Sequence, residues 1–306
     1  MAIWAAGFME PAYVPAKHAM PLYELLVSLI APMPWLGMLL AVILVIGEAF
    51  LLNHIVNENE VLSKQSYLPA FFYILLISNN NAMLAMHPLL PANLFMLFAI
   101  NRLLTSYRKD AAFSHAFDAG LLISIATLFY FPYIVFFPLL GAAFIILRPF
   151  NWREWFISFL GVLIPYAFAS VVYFWKEELD YLWYDKMLFS LVREHKIVKL
   201  PSEFYALMII GWGILLFALG RLVTTVGGGP QKTKKGIVLM VWFFIFSGLA
   251  ILLAPEISTK YFSSLAIPAA IFYSFYFMSL KKQWLAELLC LLFVVTLALN
   301  LVLHYF

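Results

Sequence analysis

Apolar residues in this chain run in blocks. They neither alternate as in a strand nor recur on one face of an otherwise polar helix. The blocks approach 20 residues, and each closes on a short charged or Pro/Gly break. A bilayer core about 30 Å thick is crossed by about 20 apolar helical residues. Ten stretches fit, at roughly 33–55, 67–86, 90–107, 117–130, 133–147, 155–175, 204–226, 236–254, 261–280 and 285–305. The pattern predicts an all-α fold, a polytopic transmembrane helical bundle of about ten spans. It forms a single transmembrane domain over 1–306, with interfacial outer segments at 8–32 and 176–203.

Composition agrees. Hydrophobic residues make up 65% of the 306 and charged residues 11%, against about half and about a quarter in soluble domains. The net charge of +3 comes mostly from loop lysines and arginines. It therefore reports on topology, and no nucleic-acid partner is expected. The lone Cys290 can form neither an intrachain disulfide nor a Cys-rich metal site. Met1–Phe8 is apolar but too short to span, and it lacks the basic region and cleavage site of a signal peptide.

Charge sets the orientation. Arg102, Arg108 and Lys109 precede the region 118–147, and Arg148 and Arg153 follow it. Positive clusters belong in the cytoplasm, so the region must cross twice, as a hairpin of short helices turning near Phe131-Pro132-Tyr133. Arg221, Lys232, Lys234 and Lys235 around Gly227-Gly228-Gly229-Pro230 are then inside, as are Lys281 and Lys282. The first 32 residues, the 87–90 turn, the 176–203 loop and the 255–260 loop are outside. A chain that starts outside either inserts its first span N-terminus out or lacks a preceding span. In the second case Met1–Phe8 is the outer end of that helix.

Few polar groups are placed to do chemistry. Leu22, Leu25, Leu26 and Leu29 have helical spacing, which suits a helix in the membrane interface. That helix is either an anchor or a platform presenting Glu10 at a lipid-accessible outer site. Glu48, about five residues from the inner end of its span, is a functional candidate as an intramembrane acid, or a bond to a neighbouring span. Asn79-Asn80-Asn81 either line an aqueous cavity or bond between helices. His87 stands at an outer turn. The 176–203 loop mixes aromatics with charges and carries Arg193 and His195, which suits one or two interfacial helices above a cavity. In the loop with Glu256, Lys260 beside Tyr261 is a cation at a span mouth, suited to a lipid phosphate. Walker A, H-E-x-x-H and G-x-S-x-G patterns are absent.

Several segments resemble the GT-C superfamily of integral-membrane glycosyltransferases, which draw sugar from polyprenyl-phosphate donors at the outer face. Phe117-Asp118-Ala119-Gly120 through Leu128, with Tyr130 and Pro132, is similar to their short helical hairpin. Arg148-Pro149-Phe150-Asn151-Trp152-Arg153 resembles the cytoplasmic turn that follows it, and Ser66–Arg108, broken at His87-Pro88, the preceding helix pair. Lys260-Tyr261 with Ala266-Ile267-Pro268 is similar to the basic-Tyr opening of a late helix. A narrower resemblance is to an uncharacterised Bacteroidota membrane-protein family of about this length. It rests on Leu51-Leu52-Asn53, Ala92-Asn93-Leu94-Phe95, Phe117–Gly120 and Arg148–Trp155, about half the chain.

The resemblance implies a bacterial inner-membrane protein that binds polyprenyl phosphate or its sugar conjugate. Glu10 is the position-matched catalytic acid, Lys260 and Tyr261 hold the lipid phosphate, and His87, Arg193, His195 and Glu256 line the outer cavity. A divalent metal ion is a candidate cofactor. Glu10 departs from the superfamily's usual Asp, and no second outer acid lies between Met83 and Pro91. The alternative is a non-catalytic lipid-carrier transporter, or an envelope-assembly subunit, on the same scaffold.

Overall fold

The computed structural model describes residues 19–78, 85–109, 111–192, 196–197, 202–225, 230–254, 256–257, 259–280, 282, 284 and 286–295. The elements are α1 (Pro21–Ile30), α2 (Pro34–Glu58), α3 (Leu68–Ile77), α4 (Leu89–Thr105), α5 (Phe113–Phe129), α6 (Phe137–Leu147), α7 (Trp152–Trp175), α8 (Ser202–Thr225), α9 (Gln231–Leu252) and α10 (Ser263–Ser279). A further apolar helix, α11, covers Ala286–Val295. Short 3₁₀ turns, Phe131–Phe136 and Thr259–Phe262, lead into α6 and α10, and a π-helical segment, Tyr181–Leu188, follows α7. Among the described residues the strands are two-residue pieces, Lys196–Ile197 paired in parallel with Glu256–Ile257.

Among the described residues, four helices are long and apolar enough to cross a membrane: Trp35–Glu58, Trp152–Trp175, Gln231–Leu252 and Thr259–Ser279. The remaining apolar stretches fall on shorter or partly described helices. Large apolar side chains such as Phe156, Phe159, Phe168 and Phe174 of α7 are exposed, as expected of a face turned to lipid.

The hairpin predicted over 118–147 turns at Tyr130. Helix α5 stops there because Tyr130 takes an extended backbone, φ −143 and ψ 100, and Pro132 then opens the 3₁₀ turn. The Ala112 amide, before α5, and the Arg148 guanidinium, after α6, both reach Glu154 Oε1, at 3.3 and 3.0 Å. A continuous helix over 113–147 would hold those ends about 50 Å apart.

The same contacts gather the basic clusters at one end of the bundle. Arg148 donates to the Ser106 carbonyl at 2.6 Å, and Arg102 pairs with Asp118 at 3.2 Å. Lys235 lies over the Tyr107 ring and donates to the Leu147 carbonyl. Lys232 pairs with Glu60 at 3.2 Å. Following the positive-inside rule, this end is called inner and the opposite end outer.

Helices α5 and α7 pack most closely. A Cβ on Gly120 would lie 2.2 Å from the Ser158 carbonyl oxygen, and one on Gly161 would lie 2.3 Å from that of Phe117. Small residues let the backbones touch, as in membrane helix pairs generally. Above this contact Ser124 donates to the Val162 carbonyl at 2.8 Å, and the Thr127 and Tyr166 hydroxyls meet at 2.6 Å.

Helix α2 runs to Glu58, past the end of its apolar stretch, so Glu48 sits deeper than the sequence suggests. Glu48 is fully buried and accepts a hydrogen bond from Tyr73 of α3 at 2.5 Å. It bonds to a neighbouring helix and is enclosed by protein.

Candidate functional site

The outer end carries a buried cluster of tyrosines. Tyr130, at the hairpin turn, stacks on Tyr261 with ring centres 5.5 Å apart. Tyr133 meets Tyr130 edge-on at 5.2 Å and donates its hydroxyl to Asn93 Oδ1 of α4. The Asn93 amide donates in turn to the Ser263 carbonyl at 3.3 Å, tying the start of α10 to α4. From α1, Tyr23 donates to the Met86 carbonyl at 3.0 Å. Burial raises the pKa of the Tyr23 phenol, and the neighbouring Tyr261 adds to the shift. His87, next to Met86, is fully buried. Lys260, half-buried at the rim, places Nζ 5.0 Å from the centre of the Tyr261 ring.

Two hydroxyls in this cluster, Tyr130 Oη and Ser263 Oγ, are buried with no hydrogen-bond partner among the described residues. Buried polar atoms are nearly always paired, so such an atom calls for an explanation. Both could donate to an oxyanion, and Lys260 supplies a cation at the same rim.

A groove of about 900 Å³ begins beside the cluster and runs between α6, α7 and α9. Its walls are apolar: Phe131, Phe137, Trp155, Phe159, Phe246 and Trp242 among them. Phe131, adjacent to Tyr130, lines its outer end together with Trp183 and Met187 of the π-helical segment. Trp155, which follows Glu154 at the inner start of α7, lines the other end. Among the described residues the groove lining includes Phe131 but not Tyr130, Tyr261 or Lys260, so the two features adjoin through the chain at Tyr130-Phe131.

The 176–203 loop contains the π-helical segment Tyr181–Leu188. It is pinned by Lys186, whose side chain is 1% exposed and donates to Glu24 of α1 and, at 2.8 Å, to the Tyr173 hydroxyl of α7. Burial works against the ammonium charge, but the bonds to Glu24 and Tyr173 outweigh it and hold the Lys186 pKa above the ordinary lysine value. The pairing of Lys196 with Glu256 brings a later part of the same loop beside the connection that carries Lys260.

Of the residues singled out in the sequence, Lys260 and Tyr261 lie together in the cluster and His87 lies at the same outer end. Glu10, Arg193, His195 and Asn79–Asn81 fall outside the described residues, and for Glu256 only the backbone is described. Among the described residues, no three His, Cys, Asp or Glu side chains are grouped as metal ligands. The sequence reading did not single out Tyr133, Asn93, Ser263 or Lys186. Asn93 had a readable signal, since an amide within an apolar helix must find a partner. Lys186 had none beyond its aromatic neighbours.

A wholly helical bundle with four membrane-length apolar helices and its basic clusters at one end is an integral-membrane protein. Residues 22–305 match a family of unknown function, DUF6427, and the chain belongs to that family. No curated protein matches the chain, and no solved structure does.

Proposed function

We propose that this protein takes a polyprenyl phosphate, or its sugar conjugate, at the outer face of a bacterial inner membrane, as a GT-C-like glycosyltransferase of about ten spans. The reading is supported by one observation: the apolar groove is lined by Phe131, the residue after Tyr130, and Tyr130 stacks on Tyr261 beside Lys260. An isoprenoid chain gains roughly 0.8 kcal/mol for each CH₂ it buries, and a cation at the mouth holds its phosphate through charge-assisted bonds. In this reading Lys260 and Tyr261 hold the lipid phosphate. Glu10 is the general base, or ligates a divalent metal, that activates the acceptor hydroxyl. His87, Arg193, His195 and Glu256 close the cavity. Ten crossings make residues 87–90 and 176–180 outside and 109–112 inside, which membrane-impermeant labelling of single-cysteine variants would check.

A non-catalytic lipid carrier is the second reading. It is favoured by the described part of the cluster, which consists of phenols, an amide, hydroxyls and one cation. Those groups suit the binding and orientation of an oxyanion.

Lys260→Ala is expected to weaken retention of polyprenyl phosphate about ten- to a hundredfold, the loss of one hydrogen bond to a charged group. Native mass spectrometry on purified protein reads this directly. Equal retention by variant and parent would remove Lys260 from the site. Glu10→Gln should keep the lipid and lose transfer. If Glu10→Gln leaves the parent's reaction intact, Glu10 is not the base.

A further inference from the structure

A second groove lies on the other side of α7. We infer that it is a site for an outer-leaflet phospholipid with a primary-amine headgroup, of the phosphatidylethanolamine class. It is distinct from the polyprenyl-phosphate groove, and it rests only on the protein being membrane-embedded.

The groove lies where α1, α5 and α7 meet, with Leu22 and Leu25 of α1 on its rim. Gly120 and Gly161 bring the α5 and α7 backbones into contact. Further out, Pro165 interrupts the backbone hydrogen bonding of α7, and a groove of about 680 Å³ opens. That volume falls within the roughly 300–1,000 Å³ of ordinary ligand pockets. One wall is Leu121, Ile125 and Leu128 of α5, a stripe at i, i+4 and i+7; the other includes Ile164, Phe168 and Val172 of α7, at i, i+4 and i+8. From Ile164 to Lys176 the helix rises about 18 Å, roughly the outer half of a bilayer core with part of its headgroup layer. A groove open to hydrocarbon at that depth is filled by a lipid chain, since no water is there to fill it.

The outer mouth selects the headgroup. Glu24 of α1 and Lys176 at the end of α7 both line it, with Tyr173 between. The Lys176 ammonium lies 5.5 Å from the Tyr173 ring centre and is exposed, ready for a phosphate. Glu24 accepts from the buried Lys186 through Oε2, while its side chain is 56% exposed and, among the described residues, Oε1 makes no hydrogen bond or ion pair. An ammonium gives Oε1 a charge-assisted bond, whereas the glycerol hydroxyls of phosphatidylglycerol are only neutral donors. A trimethylated ammonium has no proton to give Oε1. A primary ammonium paired with a phosphate satisfies both groups, with the ammonium on Glu24 and the phosphate on Lys176.

The test uses the full chain in nanodiscs of phosphatidylethanolamine, phosphatidylglycerol and phosphatidylcholine in equal parts. The protein is extracted in mild detergent, and the lipid that stays bound is identified by native mass spectrometry. Phosphatidylethanolamine should be retained about tenfold over each of the others. Glu24→Gln should bring its ratio to phosphatidylcholine close to one. Val172→Trp, at a half-exposed groove position, should abolish retention while leaving the Glu24–Lys186 pair in place. Equal retention of the three lipids, enrichment of phosphatidylglycerol alone, or parent-like retention by Val172→Trp would each overturn the inference. Should Glu24→Gln fail to fold, the lipid ranking in the parent and the Val172→Trp result still decide it.

Discussion

Gly161→Leu prevents α5 and α7 from closing and leaves the protein unable to fold. The Cβ alone would sit 2.3 Å from the Phe117 carbonyl oxygen and 3.1 Å from the Leu121 backbone nitrogen. A flexible side chain could swing aside from such an approach, but a helix backbone moves only with the whole helix. Ordinary overpacking costs about 1–3 kcal/mol, and separating these helices costs more. Parting them also stretches the Ser124–Val162 and Thr127–Tyr166 hydrogen bonds higher on the same seam. Gly120→Leu should behave alike, since its Cβ meets the Ser158 carbonyl oxygen at 2.2 Å. Gly220→Ala and Gly248→Ala are the controls. Nothing lies within 4 Å of a Cβ at either helical position, so each should be neutral or gain up to about 1 kcal/mol from helix propensity. Monodispersity after extraction, with thermal unfolding in detergent, separates the two groups.

Arg148→Ala should destabilise the inner end by about 3–5 kcal/mol, as when one partner of a buried ion pair is removed. Arg148 is 8% exposed and Glu154 1%. Together they fasten the ends of α4 and α6 to the starts of α5 and α7. Without the guanidinium, Glu154 loses its buried cation while keeping the Ala112 amide, and the Ser106 carbonyl loses a donor. The double variant Arg148→Met/Glu154→Leu should be markedly less destabilised than Arg148→Ala, because it leaves no buried charge unpaired. Unfolding midpoints in one detergent compare the three. A double variant no better than the single one would mean that the pair matters for its hydrogen bonds to backbone and not for its charges.

The architecture was readable where a single physical force governs. Apolar blocks and basic clusters follow from the cost of burying charge in hydrocarbon, and they foretold the helices and the turn between Arg108 and Arg148. The helix at 21–30 followed from its leucine spacing. The depth of Glu48 did not, because hydropathy marks where an apolar run ends and α2 continues through polar Asn57 and Glu58. The outer cluster was half legible. Lys260-Tyr261 is adjacent in sequence, so its pairing shows in one dimension. Tyr130, Tyr133, Asn93 and Ser263 come from three separate segments and meet only because the hairpin turn and the start of α10 reach the same level. The Lys186–Glu24 pair spans 162 positions, and no local pattern announces it.

The central claim is that an isoprenoid phosphate lies in the groove between α6, α7 and α9 with its phosphate at Lys260. A polyprenyl phosphate carrying a diazirine along its chain, photolysed with the reconstituted protein, tests it most directly. Adducts should map to Phe131, Phe137, Phe159 or Trp242 and should fade when unmodified polyprenyl phosphate competes or when Lys260 is Ala. Adducts spread over outward-facing positions such as Val171, Phe174, Leu216 and Phe217, undiminished by competitor, would contradict it.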